Sequence, residues 1–198
     1  KLKEFTKTGT LKILEQERNN PFHMFTKIYG VGPKKADDLI KLEILNIKQL
    51  REAYANNPKL LNDKQAIGLK YYDAINERIP RKEIQDYEKL FKEIFKKSTP
   101  DHSSFEIVGS YRRGAETSGD IDIIITNKNN NHASFNDFLD ILIKDKLIIE
   151  VLSRGEKKSL TIAQISLKST PRRIDFLYAP PDESSFAILY FTGSKMFN

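Results

Sequence analysis

The sequence contains no cysteine and no tryptophan, and only three histidines occur among its 198 residues. Disulfide frameworks and cysteine-based zinc sites are therefore excluded, and His23, His102 and His132 are too scattered to form a metal-binding cluster. No apolar run approaches the length of a membrane span, and no pattern typical of a secretory signal opens the sequence, so we expect neither membrane insertion nor secretion. Any metal site would have to use oxygen ligands, which favours magnesium or manganese.

Charged residues are distributed unevenly along the chain. Residues 1–100 carry 21 Lys and Arg against 14 Asp and Glu, a net charge of +7, whereas residues 101–198 carry 12 against 13, a net charge of −1. A basic half suits a polyanionic partner, and a near-neutral half that contains a cluster of acids suits a metal site. Lysine-rich helices that simply face solvent would give the same asymmetry, so charge alone leaves the partner open.

The most informative stretch runs from Gly109 to Ile125 and contains Asp120 and Asp122 at the start of a strongly aliphatic strand. Side chains alternate along a strand, so the two aspartates are predicted to project to the same side and to bind a common cation. Acids at the mouth of a buried strand are costly unless they coordinate a metal. An Asp-x-Asp motif alone usually lies on an exposed strand edge. Here the aliphatic residues that follow favour a metal site instead.

Groups suited to phosphate binding surround these acids in sequence. Glycine permits close approach of the backbone, and arginine pairs with phosphate through two N–H groups. Ser110, Arg113 and the backbone N–H groups of Ser118 and Gly119 are the candidates. The stretch therefore predicts a site for a metal-bound triphosphate.

Helical spacing of apolar residues extends from Pro21 to about residue 97, and alternating strand patterns follow a break at residues 98–101. Near the start of the helical part, Gly30 and Gly32 turn the chain and Pro33 opens the next helix. A Gly-x-Gly turn before a helix offers free backbone N–H groups and the positive end of the helix dipole to a phosphate. By itself the turn could be a plain helical turn without a ligand, and Lys34 and Lys35 beside it, together with the motifs downstream, favour a DNA contact.

A third acid, Asp175, lies in a segment where Ile174 and Phe176 alternate with it. The carboxylate is therefore predicted to face away from the apolar side of a strand, on the same face as Arg173. A lone aspartate on a strand is usually just exposed. Asp175 is therefore a candidate metal ligand only in combination with the other motifs.

Together the motifs resemble the nucleotidyltransferase signature, and their order is similar to that of the family X DNA polymerases of the polymerase beta type. The motifs that carry the resemblance are the helix-hairpin-helix at residues 21–42, Gly109-Ser110, Arg113-Gly114, Ser118-Gly119-Asp120-x-Asp122, Arg172-Arg173-Ile174-Asp175 and Tyr190-Phe191-Thr192-Gly193. The resemblance covers nearly the whole sequence. It implies an α+β fold with a helical helix-hairpin-helix fingers subdomain, followed by a nucleotidyltransferase-type palm with a mixed β-sheet and helices on one face.

The resemblance also implies a division into subdomains. Residues 1–20 would be a remnant of an amino-terminal lyase domain and its linker, residues 21–97 the fingers, and residues 98–198 the palm, with the closing carboxy-terminal subdomain largely missing. Lys1 would fall on a Schiff-base lysine, although an ordinary surface lysine is the simpler interpretation, so 5′-deoxyribose phosphate lyase activity stays open.

The implied function is that of a template-directed DNA polymerase of the repair type, which fills short gaps in base excision repair by adding deoxynucleotides to a primer 3′ hydroxyl. The implied partners are gapped or primed duplex DNA and deoxynucleoside triphosphates. The implied cofactors are two Mg²⁺ or Mn²⁺ ions per active site, with Na⁺ or K⁺ at the helix-hairpin-helix. We expect a monomer, nuclear by resemblance or else viral or otherwise intracellular, and repair proteins are further possible partners.

Roles follow residue by residue from the resemblance. Asp120 and Asp122 would bind both metals, and Asp175 would bind the catalytic one and accept the proton of the primer hydroxyl. The nucleotide-binding residues would be Arg78, Ser110, Arg113, Ser118, Gly119, Tyr190, Phe191, Gly193 and Asn198. The backbone carbonyls of Thr26, Ile28 and Val31 would hold the monovalent cation. The DNA-binding residues would be Gly30, Gly32, Lys34, Lys35 and Arg173.

Three other functions remain open at the level of sequence. A nucleotidyltransferase that acts on RNA or on a small molecule would keep the acids, but it has no evident use for a helix-hairpin-helix. Terminal transferases of the family differ at the aromatic pair, so Tyr190 and Phe191 favour template-directed synthesis. A DNA-binding module without catalysis would not need three acids.

Overall fold

The computed structural model of the protein describes Thr6, residues 20–194 and Met196. The chain divides into two compact units, one ending at Tyr72 and the other beginning at Asp73. Predictions that concern Lys1, nearly all of segment 1–20, and Asn198 lie outside the described residues. No helix in the described part of the chain is both long and apolar enough to cross a membrane.

The first unit is helical, and asparagine side chains cap the amino ends of several of its helices. Its helices are α1 (Pro21–Thr26), α2 (Pro33–Lys41), α3 (Ile47–Asn56), a 3₁₀ turn (Pro58–Leu60) and α4 (Asp63–Lys70), and α5 (Tyr72–Asn76) spans the division. Asn20 and Asn46 accept hydrogen bonds from backbone N–H groups of α1 and α3, and Asn62 forms a reciprocal capping box with Gln65. The apolar faces meet in a core formed by Phe25, Ile28, Val31, Ala36, Leu39, Ile44, Leu50, Leu61 and Leu69.

The turn between α1 and α2 is held tightly by α4. Gly30 has a φ of +81°, a conformation that favours glycine, and its carbonyl accepts a 2.9 Å hydrogen bond from Gln65 Nε2. A Cβ at Gly68 would lie 2.5 Å from the Tyr29 carbonyl oxygen, so α4 approaches the turn closely because residue 68 has no side chain. Gly32 caps α2 with a φ of −88°, and nothing lies within 4 Å of where its Cβ would be.

The second unit is built on a mixed sheet that confirms the predicted α+β fold class. Its strands are β1 (Ile79–Pro80), β2 (Ser103–Ile107), β3 (Thr117–Ser118), β4 (Ile121–Asn127), β5 (Ile148–Arg154), β6 (Lys158–Ala163) and β7 (Arg172–Tyr178). Its helices are α6 (Arg81–Ser98), α7 (Gly109–Arg112), α8 (Ala133–Lys144) and α9 (Ser184–Thr192). Within the described residues, five strands form the main sheet in the order β2-β4-β7-β6-β5, and β1 pairs with β3 separately. Only the β4–β7 pair in that sheet is parallel.

Different helices pack against the two faces of the sheet. Helices α6 and α8 pack on the face that carries Ile123 and Phe176, where a cluster of aromatic rings forms the main core. On the opposite face, α9 packs against Ile124 and Leu177. Asp122 and Asp175 belong to this second face because side chains alternate along β4 and β7.

Helix α6 packs in the second unit, although the sequence groups it with the helical fingers at residues 21–97. Its buried side chains Ile84, Tyr87, Phe91 and Phe95 belong to the core over the sheet. The amphipathic pattern predicts an apolar face correctly, but it contains no information about which unit that face packs against. The division between the two compact units falls between residues 72 and 73 of the chain. The predicted boundary between fingers and palm at residue 98 stays a prediction.

Candidate active site

The parallel pairing of β4 with β7 brings the three predicted acids together. Asp122 and Asp175 are direct partners in the register of the two strands, and Asp120 immediately precedes β4. One carboxylate oxygen from each of the three lies within 4.8 Å of the others, and all three side chains are partly exposed. The group can therefore offer oxygen ligands to one or more cations from one side of the sheet edge.

The electrostatics of the acids favour a bound cation. Burial, with the charge of Asp175, raises the pKa of Asp122 to about 6, although Lys158 and Arg113 oppose the rise. Burial also raises the pKa of Asp175, although Arg173 and Lys158 act in the other direction. Asp175 Oδ1 is buried without a hydrogen-bond partner among the described residues. A buried carboxylate oxygen with no donor, beside two further acids, fits the oxygen ligand set of a divalent metal.

Arg173 links two of the acids. Its Nη2 donates to Asp120 Oδ2, and its Nε lies 3.5 Å from Asp175 Oδ1. The sequence predicts Arg173 on the same face as Asp175, and the contact with Asp120 appears only when β7 is placed beside β4. The guanidinium therefore supplies positive charge inside the acidic cluster, where like charges would otherwise repel.

Gly109 is required by the position of Asp122. Its φ is +63°, and a Cβ built on it would lie 2.7 Å from Asp122 Oδ2. The preceding residue, Val108, donates its backbone N–H to the Asp122 carbonyl at 2.9 Å. The start of α7 thus lies directly against the acids, and only a residue without a side chain fits there.

The predicted phosphate-binding residues surround the same end of β4. Ser110 Oγ and Ser118 Oγ are hydrogen-bonded at 2.8 Å. Arg113 Nη1 donates to the carbonyls of Thr192 and Gly193, which joins α7 to the end of α9.

Arg78 reaches this end of β4 from the segment before β1. It donates to the backbone carbonyl and hydroxyl of Thr117, and its Nη1 lies 3.4 Å from the position of a Cβ at Gly119. The sequence alone gives no signal for Thr117, because the contact depends on the pairing of β1 with β3.

The aromatic pair at the end of α9 divides its two rings between different environments. Phe191 is half-buried and lines a small pocket together with Asp122, Asp175 and Lys158, whereas Tyr190 is 62% exposed. The two rings meet edge to face with centroids 5.3 Å apart. Lys158 is a charged residue of this pocket that the sequence analysis does not single out, since no motif marks it.

The predicted DNA and monovalent-cation residues of the hairpin lie in the first unit. Lys34 is exposed and Lys35 is half-buried, near the amino end of α2. The Ile28 carbonyl accepts a 3.0 Å hydrogen bond from the Val31 N–H, which makes the turn compact. The roles of these residues, and of the carbonyls of Thr26 and Val31, stay predictions.

Comparison with known proteins decides the family. The family model described as the DNA polymerase beta palm matches residues 78–181, more than half of the chain. The chain belongs to the family X DNA polymerases. A second family model, the fingers domain of DNA polymerase lambda, matches residues 23–76. The acids, Ser110 and Arg113 all lie within the part that matches the palm.

Individual relatives agree with this family. DNA polymerase lambda from Arabidopsis thaliana is 32% identical over 215 residues, covering all of this chain and 39% of that protein. DNA polymerase lambda from Rattus norvegicus is 29% identical over 208 residues, covering all of this chain and 35% of that protein. DNA nucleotidylexotransferase from Xenopus laevis is 32% identical over 126 residues, covering 63% of this chain and 24% of that protein. The chain thus spans less than half the length of these relatives.

The raised pKa of Asp122 predicts how stability depends on pH when divalent metal is removed. The native pKa of about 6 exceeds the ordinary value of 3.8, so the native protein holds this proton more tightly than the unfolded chain. The stabilising contribution is fully present below pH 4 and is lost as pH rises through about 6. At pH 7 with chelator, Asp122→Asn should therefore raise the free energy of unfolding by about 1–3 kcal/mol.

Urea unfolding at pH 4, 5.5 and 7 would measure this effect. Asp137→Asn, at an exposed position on α8, is the control and should change stability little at any of these pH values. An equal gain for Asp122→Asn at pH 4 and pH 7 would mean that charge burial is not the cause.

Proposed function

We propose that this chain is the nucleotide-binding and catalytic part of a template-directed DNA polymerase of the repair type. The observation that carries the proposal is the set of three carboxylates on β4, on β7 and directly before β4, next to a turn lined by serine and arginine. Membership in family X and the similarity to proteins named DNA polymerase lambda support it. We extend the proposal to gap filling on primed or gapped DNA with deoxynucleoside triphosphates, and to a nuclear protein acting as a monomer.

The acids have separate roles in this proposal. Asp120 and Asp122 hold divalent ions, Mg²⁺ or Mn²⁺, and Asp175 contributes to the ion nearer the primer. When bound, two such ions would supply electrostatic stabilisation of the oxygens that react at the α-phosphate. Asp175 has a raised pKa and a buried oxygen without a hydrogen-bond donor among the described residues, which supports its role as the group that accepts the proton of the primer hydroxyl. Arg173, already between two acids, is placed to contact the primer.

The triphosphate lies along the turn in this proposal. The residues that bind it are Arg78, Ser110, Arg113, Ser118 and Gly119. Their contacts with one another and with Thr117, Thr192 and Gly193 fix their directions before the nucleotide binds, which lowers the entropic cost of binding. Tyr190, Phe191, Gly193 and Asn198 contact the sugar and base side of the nucleotide.

DNA binding is assigned to the first unit. Gly30 and Gly32 present backbone N–H groups, Lys34 and Lys35 add charge, and the carbonyls of Thr26, Ile28 and Val31 hold Na⁺ or K⁺ between the turn and a phosphate. These contacts read no base, so they position the protein without sequence preference. Residues 21–97 then act as fingers and residues 98–198 as palm.

Single-turnover incorporation on a duplex with a one-nucleotide gap tests the function. We expect addition of only the deoxynucleotide that pairs with the template base, for each of the four template bases, and complete loss with chelator. Addition regardless of the template base would instead support a terminal transferase. That second candidate has one observation behind it, the 32% identity with DNA nucleotidylexotransferase over 126 residues, which covers 63% of this chain. Transfer to RNA or to a small molecule, but not to DNA, would contradict both.

Gly32→Val should weaken binding to all DNA sequences alike. Because nothing lies within 4 Å of the added Cβ and φ is −88°, the substitution fits the fold and obstructs only the approach of a phosphate. Loss of one or two backbone contacts should reduce affinity by about tenfold, with little change in the melting temperature. Fluorescence anisotropy with several duplex sequences at two salt concentrations measures it.

Gly155→Val in the second unit, where the added Cβ would lie an ordinary 3.5 Å from the Lys158 carbonyl oxygen, is the control for the hairpin variant. It should leave DNA affinity unchanged. If Gly32→Val affected only certain sequences, the DNA would be bound by another surface.

A further inference from the structure

Arg172 is a buried arginine next to the acids in sequence, but its side chain points to the other face of the sheet. It is 3% exposed and lies on the same face of β7 as Ile174 and Phe176, under α6. Its Nε and Nη2 donate to the two carboxylate oxygens of Glu83 at 2.7 and 2.8 Å. This bidentate pair joins the strand that carries Asp175 to the first turn of α6.

The same guanidinium also reaches the segment that carries Arg78. Its Nη1 donates to the Glu77 carbonyl at 3.4 Å, and its Nη2 lies 3.7 Å from Glu77 Oε1. Glu77 directly precedes Arg78, and the following residues form β1, which pairs with Thr117 and Ser118. Arg172 therefore contacts the residue directly before Arg78, the arginine to which the proposed function assigns a triphosphate contact.

A second contact reinforces α6 at this point. Tyr87 on α6 donates its hydroxyl to the Ala163 carbonyl at 3.1 Å, and Ala163 is the β6 partner of Arg172. With α6 anchored to both strands, the segment 77–80 has β7 on one side and β3 on the other. A lysine at position 172 has a single ammonium and cannot reproduce both the carboxylate pair and the carbonyl contact.

We propose that Arg172 is a positioning residue for nucleotide binding: it fixes segment 77–80 to the catalytic strand β7, so that Arg78 and the acids keep a constant relative position. This inference rests on the proposed function. Arg172 itself touches no substrate, because its guanidinium is enclosed by Glu77, Glu83 and the core.

Hydrogen exchange and nucleotide binding by the 198-residue chain test the inference together. In Arg172→Lys, amide exchange in segments 77–80 and 117–119 should become about fivefold faster, while β5 and α8 stay unchanged. The Kd for a magnesium deoxynucleotide should rise about tenfold, with DNA affinity unchanged. In an Arg78→Ala background, the same substitution should add less than about twofold, since the two residues act through one contact.

Arg154→Lys is the matched control, because Arg154 forms a 2.6 Å pair with Asp140 at the surface of the same unit. It should alter neither exchange at segment 77–80 nor nucleotide binding. If Arg172→Lys does not fold, Glu83→Gln keeps the side-chain shape and removes the charge, and the same results are expected from it.

Unchanged exchange in segment 77–80 would overturn the inference. So would independent, multiplicative effects of Arg172→Lys and Arg78→Ala on the nucleotide Kd. Faster exchange in that segment, combined with no nucleotide binding by the unsubstituted protein, would support the link to Arg172 and overturn the proposed function instead.

Discussion

Asp122→Asn and Asp175→Asn should each lower nucleotide incorporation by about a thousandfold or more, since removing a metal ligand costs several kcal/mol of transition-state stabilisation. Each variant keeps the size of the side chain and its place on paired strands, so the fold should persist. DNA affinity should stay within a few fold, because the proposed DNA contacts of the hairpin lie in the first unit. Single-turnover incorporation with magnesium and anisotropy with labelled gapped DNA measure the two quantities.

Asp140→Asn is the matched control for these acids. Asp140 is exposed on α8 and pairs only with Arg154 among the contacts described for it, so its loss should leave incorporation unchanged. Substantial magnesium-dependent incorporation by Asp122→Asn or Asp175→Asn would remove the proposed metal roles.

Gly109→Ala should reduce incorporation by about a hundredfold and should also destabilise the protein. Its φ of +63° is strained for alanine, and the new Cβ would lie 2.7 Å from Asp122 Oδ2, so the carboxylate has to move. Strain of this kind costs about 1–3 kcal/mol, and an acid displaced by about 1 Å loses its alignment with the reacting groups. Denaturant unfolding and single-turnover incorporation measure the two effects.

Gly114→Ala is the control that distinguishes backbone strain from displacement of the Asp122 carboxylate. Gly114 also has a positive φ, +85°, but nothing lies within 4 Å of a Cβ there. It should lose comparable stability and keep most of its activity. If both variants lose activity equally, backbone strain at the turn, and not contact with Asp122, limits the reaction.

The sequence predicts the strand positions of the acids well because their signal is local. Asp122 stands at the mouth of an aliphatic strand, and Asp175 alternates with Ile174 and Phe176, so both the strand and the face of each acid follow from neighbouring residues. The helical first part and the α+β class follow from periodicity in the same way. The glycine at position 109 is also recognisable in the sequence. The reason why no other residue fits there, the closeness of Asp122, is not.

Contacts between residues far apart in the chain could not be predicted. The bond between Arg173 and Asp120 joins residues 53 positions apart, and it exists because β7 pairs in parallel with β4. The antiparallel pairing of β6 with β7 explains why Lys158 lies near the acids, although no motif surrounds it. A strand pattern specifies two faces and says nothing about which strand lies alongside, so these neighbours required the tertiary structure.

The sequence by itself therefore determined the helical and strand-forming parts of the chain and the strand faces of Asp122 and Asp175, since each depends on periodicity within a few residues. It also predicted a phosphate-binding turn around Ser110 and Arg113, and that role stays a proposal. Tertiary structure alone decided that α6 packs over the palm sheet and that Arg172 joins β7 to Glu77 and Glu83. Its packing also decided that a Cβ at Gly109 would collide with Asp122. The physical reason is that an apolar face or a buried charge requires some partner, but only packing of the whole chain determines which partner it meets.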